Sequence, residues 1–236
     1  MDHEQWVVED ADAVAATAAE YVARTVTAAV ADRGAFTMAV SGGSSPWAMF
    51  ARLAHEDLPW EAVSIWQVDE RIAPAGDPDR NAVGLHGAIG ALPVAVHLMP
   101  VEQLVGNGLG GAVAEHELLD SACDEYAATL PERFDLIHLG IGPDGHTASL
   151  VPGDEVLGVV DRPVAVTSTA YQDRRRMTLT YPALGRTDQL LWLITGASKR
   201  EALAGVLAGD PLYPASLVEA PRSLIVTDRA AHPQQP

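Results

Sequence analysis

Positive charge is scarce in this chain of 236 residues: 15 Lys and Arg stand against 32 Asp and Glu, a formal net charge of −17. That balance argues against a nucleic-acid partner, because phosphate backbones are gripped by Lys and Arg clusters. Adsorption to anionic membranes is disfavoured for the same reason. Cysteine is nearly absent: Cys123 stands alone, no intramolecular disulfide can form, and a reducing cytoplasm is the expected setting. Long apolar runs are missing as well, none approaching the roughly 18 residues of a membrane span. The acidic opening MDHEQWVVED lacks the basic and apolar regions of a signal peptide, so a cytoplasmic protein is expected. The histidines show neither HxxxH nor HxH spacing, and one thiol makes no soft cluster, so no metal site is expected. GxGxxG is absent from the strand-to-helix segment VSGGSSPW, which disfavours a dinucleotide there. No polar, Pro-rich or Ser-rich linker divides the chain and no internal repeat is evident, so one domain over residues 1–236 is expected.

What is present is a globular composition, 48% hydrophobic and 20% charged, long enough to bury a substantial core. Val14, Ala18, Tyr21, Val22, Val26 and Ala29 recur at helical spacing between Asp12 and Arg33, with Gly34 as the stop. FTMAV (36–40), AVSIWQV (62–68) and FDLIHLG (134–140) read as buried strands. RPVAVTS, RMTLT, QLLWLIT and SLIVT are four further candidates. Helices are predicted over WAMFARLAH, after Asn81, from Ala114 to Leu130 beyond a glycine loop (VGNGLGGAV), and over Lys199–Ala208. Strands alternating with helices predict an α/β, Rossmann-like fold: a mostly parallel sheet with helices on both faces. Ligands in such sheets sit beyond the carboxyl ends of the strands, which selects four segments.

VSGGSSPW (40–47) joins a strand to a helix. Its glycines permit close approach of the backbone, Ser44 or Ser45 can cap the helix, and Pro46 suits the first turn. The helix N-terminus is a ready anion site, although an ordinary turn uses the same residues. QVDERIAP (67–74) places Asp69 and Arg71 at a strand end, for substrate hydroxyls and phosphate or as a solvated ion pair. LGIGPDGHTASLVPG (139–153) sets Asp144 two residues before His146 after two thinning glycines, Gly140 and Gly142. A His whose tautomer is held by a carboxylate can act as general base near neutral pH, although Asp-Gly is also a common turn dipeptide. In TGASKREAL (195–203), Ser198 and Glu201 have capping-box spacing, leaving the cation Lys199 in the first helical turn, against the dipole.

Taken in order, SGGSSP, DER with DPDRN, LGIGPDGHTASLVPG, RMTLT and GASK resemble the glucosamine-6-phosphate isomerase/6-phosphogluconolactonase family, over about residues 36–227. The resemblance points to its lactonase branch. It implies hydrolysis of 6-phosphoglucono-δ-lactone to 6-phosphogluconate in the oxidative pentose phosphate pathway, without organic cofactor or required metal, by a monomer or homodimer. It further implies that Ser41, Gly42, Gly43 and Ser44 bind the phosphate with Arg71 and Lys199, that Arg176 is a further ligand, that His146 activates the water, and that Asp144 and Asp69 hold hydroxyls or the imidazole. The chain departs from the pattern at Arg80, where Ser is expected, and in the crowded QDRRRMT. Related deaminases are expected to carry Glu five residues after the His and DEY for DER. Here Val151 and DER stand instead, with Glu155 as a conceivable substitute. A sugar-phosphate-sensing regulator on the same fold would need a basic helix-turn-helix region, and none fits before Phe36.

Overall fold

The computed structural model describes residues 2–105 and 112–233, with the backbone alone considered at 112–115. The glycine loop expected at 106–111 lies outside the described residues. Seven parallel strands form the main sheet: β1 (Glu4–Val8), β2 (Phe36–Val40), β3 (Val63–Gln67), β5 (Ala95–His97), β6 (Leu136–Leu139), β9 (Leu190–Ile194) and β10 (Ser223–Asp228). Their order is β1-β10-β9-β6-β2-β3-β5.

Strand alternation sends successive side chains to opposite faces, and two cores result. Met38, Val40, Ile65, Leu136 and Leu191 pack on one side against α1 (Ala11–Arg33), α2 (Ser44–Leu53) and α3 (Asn81–Ile89). Ala39, Trp66, Ile137, Leu139 and Trp192 pack on the other, where α4 (Ala112–Ala127), the short α5 (Tyr181–Leu184) and α6 (Arg200–Ala208) lie. The α/β sheet with helices on both faces is therefore as expected. Each Leu or Ile fully buried in such a core contributes about 1.5–3 kcal/mol relative to exposure. Helix α1 starts where the Asp10 carboxylate accepts from Ala13 N at 2.9 Å, and ends at left-handed Gly34. No helix among the described residues is long and apolar enough to cross a membrane. Cys123 is buried, and burial pushes its thiol up to about 12.

Two expectations need correction, and a further strand was not expected. RPVAVTS and RMTLT do not extend the parallel sheet: β8 (Arg176–Leu179) pairs antiparallel with β4 (Asp69–Arg71) on one side and β7 (Val164–Val166) on the other, in a separate three-stranded sheet. Strand β1, half exposed at the sheet edge, carries too weak an apolar pattern to have been foreseen. No capping box forms at Ser198, because Ala197–Lys199 is a 3-10 turn that delays α6 to Arg200, and Lys199 becomes its N-cap residue without a side-chain cap.

Candidate active site

Adjacent strands β9, β6 and β2 all end at one edge of the main sheet, and the loops leaving them meet the small sheet around a cavity of about 320 Å³. Ser41, Gly42, Gly43 and Ser44 line it from the β2 end, Asp69 and Arg71 from β4, and His146, Arg176 and Lys199 from three further segments. Asp144, the tenth residue singled out, stands behind His146 and bonds to it.

The 41–45 loop is built on Asn81. A Cβ at Gly42 would collide with the Asn81 side-chain oxygen, so glycine is required where the loop crosses the start of α3. Helix α2 begins directly at Ser44, after Gly43 at φ 133°, and the expected side-chain cap by Ser44 or Ser45 is not made. Ser45 Oγ meets Thr195 Oγ1 at 3.2 Å instead, so the uncapped N-terminus of α2 faces the cavity, a favourable place for an anion. Ser41 Oγ is buried and has no protein partner.

The small sheet supplies charge. Asp69 pairs with Thr178 and Arg71 with Arg176 in the antiparallel register, so these four side chains share one face. Ser149 Oγ donates to Asp69 Oδ2 at 2.6 Å, and Arg176 Nη1 lies 4.0 Å from the same oxygen. Two guanidinium groups directly across a ladder repel each other. Burial lowers the Arg176 guanidinium, Asp69 opposes that shift and Arg71 reinforces it. The Nε atoms of Arg71 and Arg176 are both buried without a protein partner, and an anion between the two cations would relieve both conditions. Of the other charged residues nearby, Arg174 pairs with Asp77 at 2.9 Å and Arg175 Nε donates to Thr167 O, so Arg176 is the one of the three that lines the cavity. Arg80 turns inward to Glu70 (3.0 Å) and Glu102 (2.9 Å), which makes it a structural ion pair rather than a cavity ligand.

The turn after β6 holds the Asp144–His146 pair. His146 Nδ1 lies 2.6 Å from Asp144 Oδ1, and the Tyr171 hydroxyl donates to Asp144 Oδ2 at 3.1 Å. A Cβ at Gly142 would strike both the imidazole and the carboxylate, which explains the second glycine. Gly140 has no such neighbour, a Cβ there meeting only Leu193 O at 3.8 Å. Partial burial would raise the Asp144 carboxyl, but the adjacent His146 and the hydrogen bonds from His146 and Tyr171 outweigh it, and the group is held below its ordinary value. An ionised Asp144 accepts only, so Nδ1 is the donor in this pair, and the tautomer that results when the ring is neutral has its lone pair on Nε2. Partial burial lowers the Lys199 ammonium while Asp144 pulls it back up.

Several participants escape sequence reading. Ser149 lies inside GHTASL, where its spacing from the His was the available signal. Tyr171 and Gln172 line the cavity from a stretch with no local signature. His138, in the middle of β6, is fully buried with neither ring nitrogen partnered, and burial pushes it down to about 3, so it is neutral. Glu155 is exposed and outside the cavity, and the carboxylates brought to the site among the described residues are Asp69 and Asp144.

Comparison with known proteins points the same way as the geometry. The model of the family described as glucosamine-6-phosphate isomerases/6-phosphogluconolactonase matches residues 9–227. A 6-phosphogluconolactonase of Synechocystis sp. is 34% identical over 214 residues, covering 85% of this chain and 84% of that protein. Among solved structures, a 6-phosphogluconolactonase of Thermotoga maritima superposes with a TM-score of 0.82 at 23% identity, covering 97% of this chain and all of that one. A monomeric glucosamine-6-phosphate deaminase superposes at 0.78 and 17% identity, covering 97% and 98%. At such identities the two structures speak to the fold alone.

Proposed function

The chain belongs to the family of glucosamine-6-phosphate isomerases and 6-phosphogluconolactonases, and from that premise we propose that it hydrolyses 6-phospho-D-glucono-1,5-lactone to 6-phosphogluconate in the cytoplasmic pentose phosphate pathway. The observation that carries this reading is the Asp144–His146 pair beside a cavity lined by Arg71, Arg176 and Lys199.

In this reading the phosphate sits against the 41–44 loop and the cations, remote from the reacting carbon, and its binding energy orients the lactone. His146 Nε2 takes a proton from water as the water oxygen bonds to C1. The tetrahedral intermediate then expels the ring oxygen, which takes the proton back from the imidazolium. The new carboxylic acid ionises, so one proton is released per turnover. A lactone carbonyl is already electrophilic, and no covalent nucleophile is needed. Asp69, held by Ser149 and Asn81, would hold sugar hydroxyls. The isomerase and deaminase alternative requires a further acid near the His, and neither Val151 nor the exposed Glu155 supplies one.

Proton release from freshly made 6-phosphogluconolactone, followed by pH-stat with spontaneous opening subtracted and the phosphate-free lactone in parallel, tests the proposal. Acceleration confined to the phosphorylated lactone is expected, with kcat reduced about 10²- to 10⁴-fold in His146→Ala and substrate binding retained. Wild-type turnover in that variant would overturn the general-base assignment; no acceleration by the native protein would overturn the activity.

A further inference from the structure

Tyr171 belongs to none of the segments that the sequence marks for chemistry, yet three interactions converge on it. Its hydroxyl donates to Asp144 Oδ2 at 3.1 Å, while the other oxygen of that carboxylate holds His146 Nδ1 at 2.6 Å. Its ring stands edge-on to the imidazole, centroids 5.0 Å apart at 64°. The Arg176 guanidinium lies over the ring at 5.1 Å from its centroid.

The backbone that delivers this side chain is strained. Tyr171 bridges Arg174 across a two-residue turn in which Gln172 and Asp173 have φ of 51° and 64°. Two consecutive left-handed residues make a type I′ geometry, for which Asn-Gly is the usual choice and Gln is a poor one. Strain of this kind persists where surrounding contacts fix it. Here Gln172 Oε1 accepts from Arg176 Nη2 at 3.0 Å, and Tyr171 docks on Asp144 and His146. The turn thus ties the cation end of the cavity to the imidazole end.

We propose that Tyr171 is a positioning residue for the hydrolysis: its phenol fixes the Asp144 carboxylate in the orientation that holds His146 with Nε2 toward the water, and its ring is the platform for Arg176. This rests on the reading of His146 as general base. Burial and the neighbouring Asp144 both raise the Tyr171 phenol, which keeps it a proton donor throughout the working range. The charged groups facing the trio are Arg176, on the tyrosine side, and Lys199, whose charge reaches Asp144. Both are distinct from the hydroxyl that the test removes.

Tyr171→Phe keeps the ring and deletes the hydroxyl. With one donor gone, Asp144 is a stronger partner for the imidazolium, so the acid limb of kcat/KM against pH is expected to move to higher pH. The less constrained dyad is expected to lower kcat about tenfold, with KM within about twofold of wild type. Tyr171→Ala, which also removes the platform, is expected to raise KM as well. Thermal unfolding of both variants checks that they fold. A Phe variant with wild-type kcat and an unmoved acid limb overturns the proposal, and if Ala alone is impaired the residue only packs. His146→Ala in the same assay separates the two readings. Turnover surviving there sinks the general base, whereas an inactive His146→Ala beside an unaltered Tyr171→Phe sinks the tyrosine alone.

Discussion

Asp69 and Glu70 are sequence neighbours on a three-residue strand, both buried, and their surroundings differ completely. Glu70 faces away from the cavity and is saturated: it accepts from Gln67 Nε2 and from the backbone N–H groups of Arg71, Asn81 and Ala82, each at 2.8 Å, and pairs with Arg80 at 3.0 Å. A carboxylate at the first N–H groups of α3 is favoured by the helix dipole as well as by the bonds. Asp69 faces the cavity with Ser149 and Asn81 as donors and Arg176 only at 4.0 Å. Asn81 joins the two faces, because its N–H is held by Glu70 while its side chain donates to Asp69 and fills the space above Gly42. One strand therefore separates a group spent on the fold from a group left available to a ligand, and the difference is visible only in partners, not in burial.

That contrast can be broken by substitution. Glu70→Ala leaves the buried Arg80 with Glu102 as its remaining ion-pair partner and frees the start of α3; a loss of about 3–5 kcal/mol is expected, seen as a fall in Tm of roughly 10 °C. Asp69→Asn should leave Tm within about 2 °C of wild type while turnover on the phosphorylated lactone drops about ten- to a hundredfold, equivalent to roughly 1.4–2.7 kcal/mol of transition-state binding. If Asp69→Asn unfolds the protein, or Glu70→Ala spares Tm, the division of labour across β4 is wrong.

His138 extends the contrast to a buried polar group with no partners at all. His138→Leu, which keeps the volume, is expected to raise stability by about 1–3 kcal/mol at pH 7, measured by thermal unfolding. Its folded pKa lies at about 3 against an ordinary 6.5. The unfolded chain therefore takes up a proton that the folded one refuses as pH falls from 6.5 towards 3, and stability is lost in that window. The Leu variant should lack this component of acid destabilisation, and parallel acid sensitivity of the two proteins would place its origin elsewhere.

Much of this architecture was legible in the sequence wherever structure follows from local pattern. The inner strands β2, β3, β6, β9 and β10 read as short apolar runs because both faces are buried, whereas the more exposed edge strands β1 and β5 did not, and the GxGxDGH spacing announced the turn that carries the dyad. Legibility failed where the outcome depended on distant partners. Val164–Val166 and Arg176–Leu179 look like parallel strands until β4 is seen pairing with Arg176–Leu179 from a hundred residues away. Arg80 could have turned either way, and only Glu70 and Glu102 decide it. Ser198 and Glu201 have capping spacing, but Asp228 takes the Gly196 N–H at 2.9 Å and the chain enters α6 through a 3-10 turn. Tyr171 acts entirely through contacts with residues 5 to 27 positions away, and no periodicity records that.

Lys199, described above as one of three cations on the cavity, is also the only lysine in the chain. All side-chain amine reactivity of the protein is thus gathered at a single half-buried nitrogen whose burial favours the neutral, nucleophilic form. For an amine-directed reagent that carries a phosphate, this acidic molecule presents one addressable point, and that point is the rim of its own cavity.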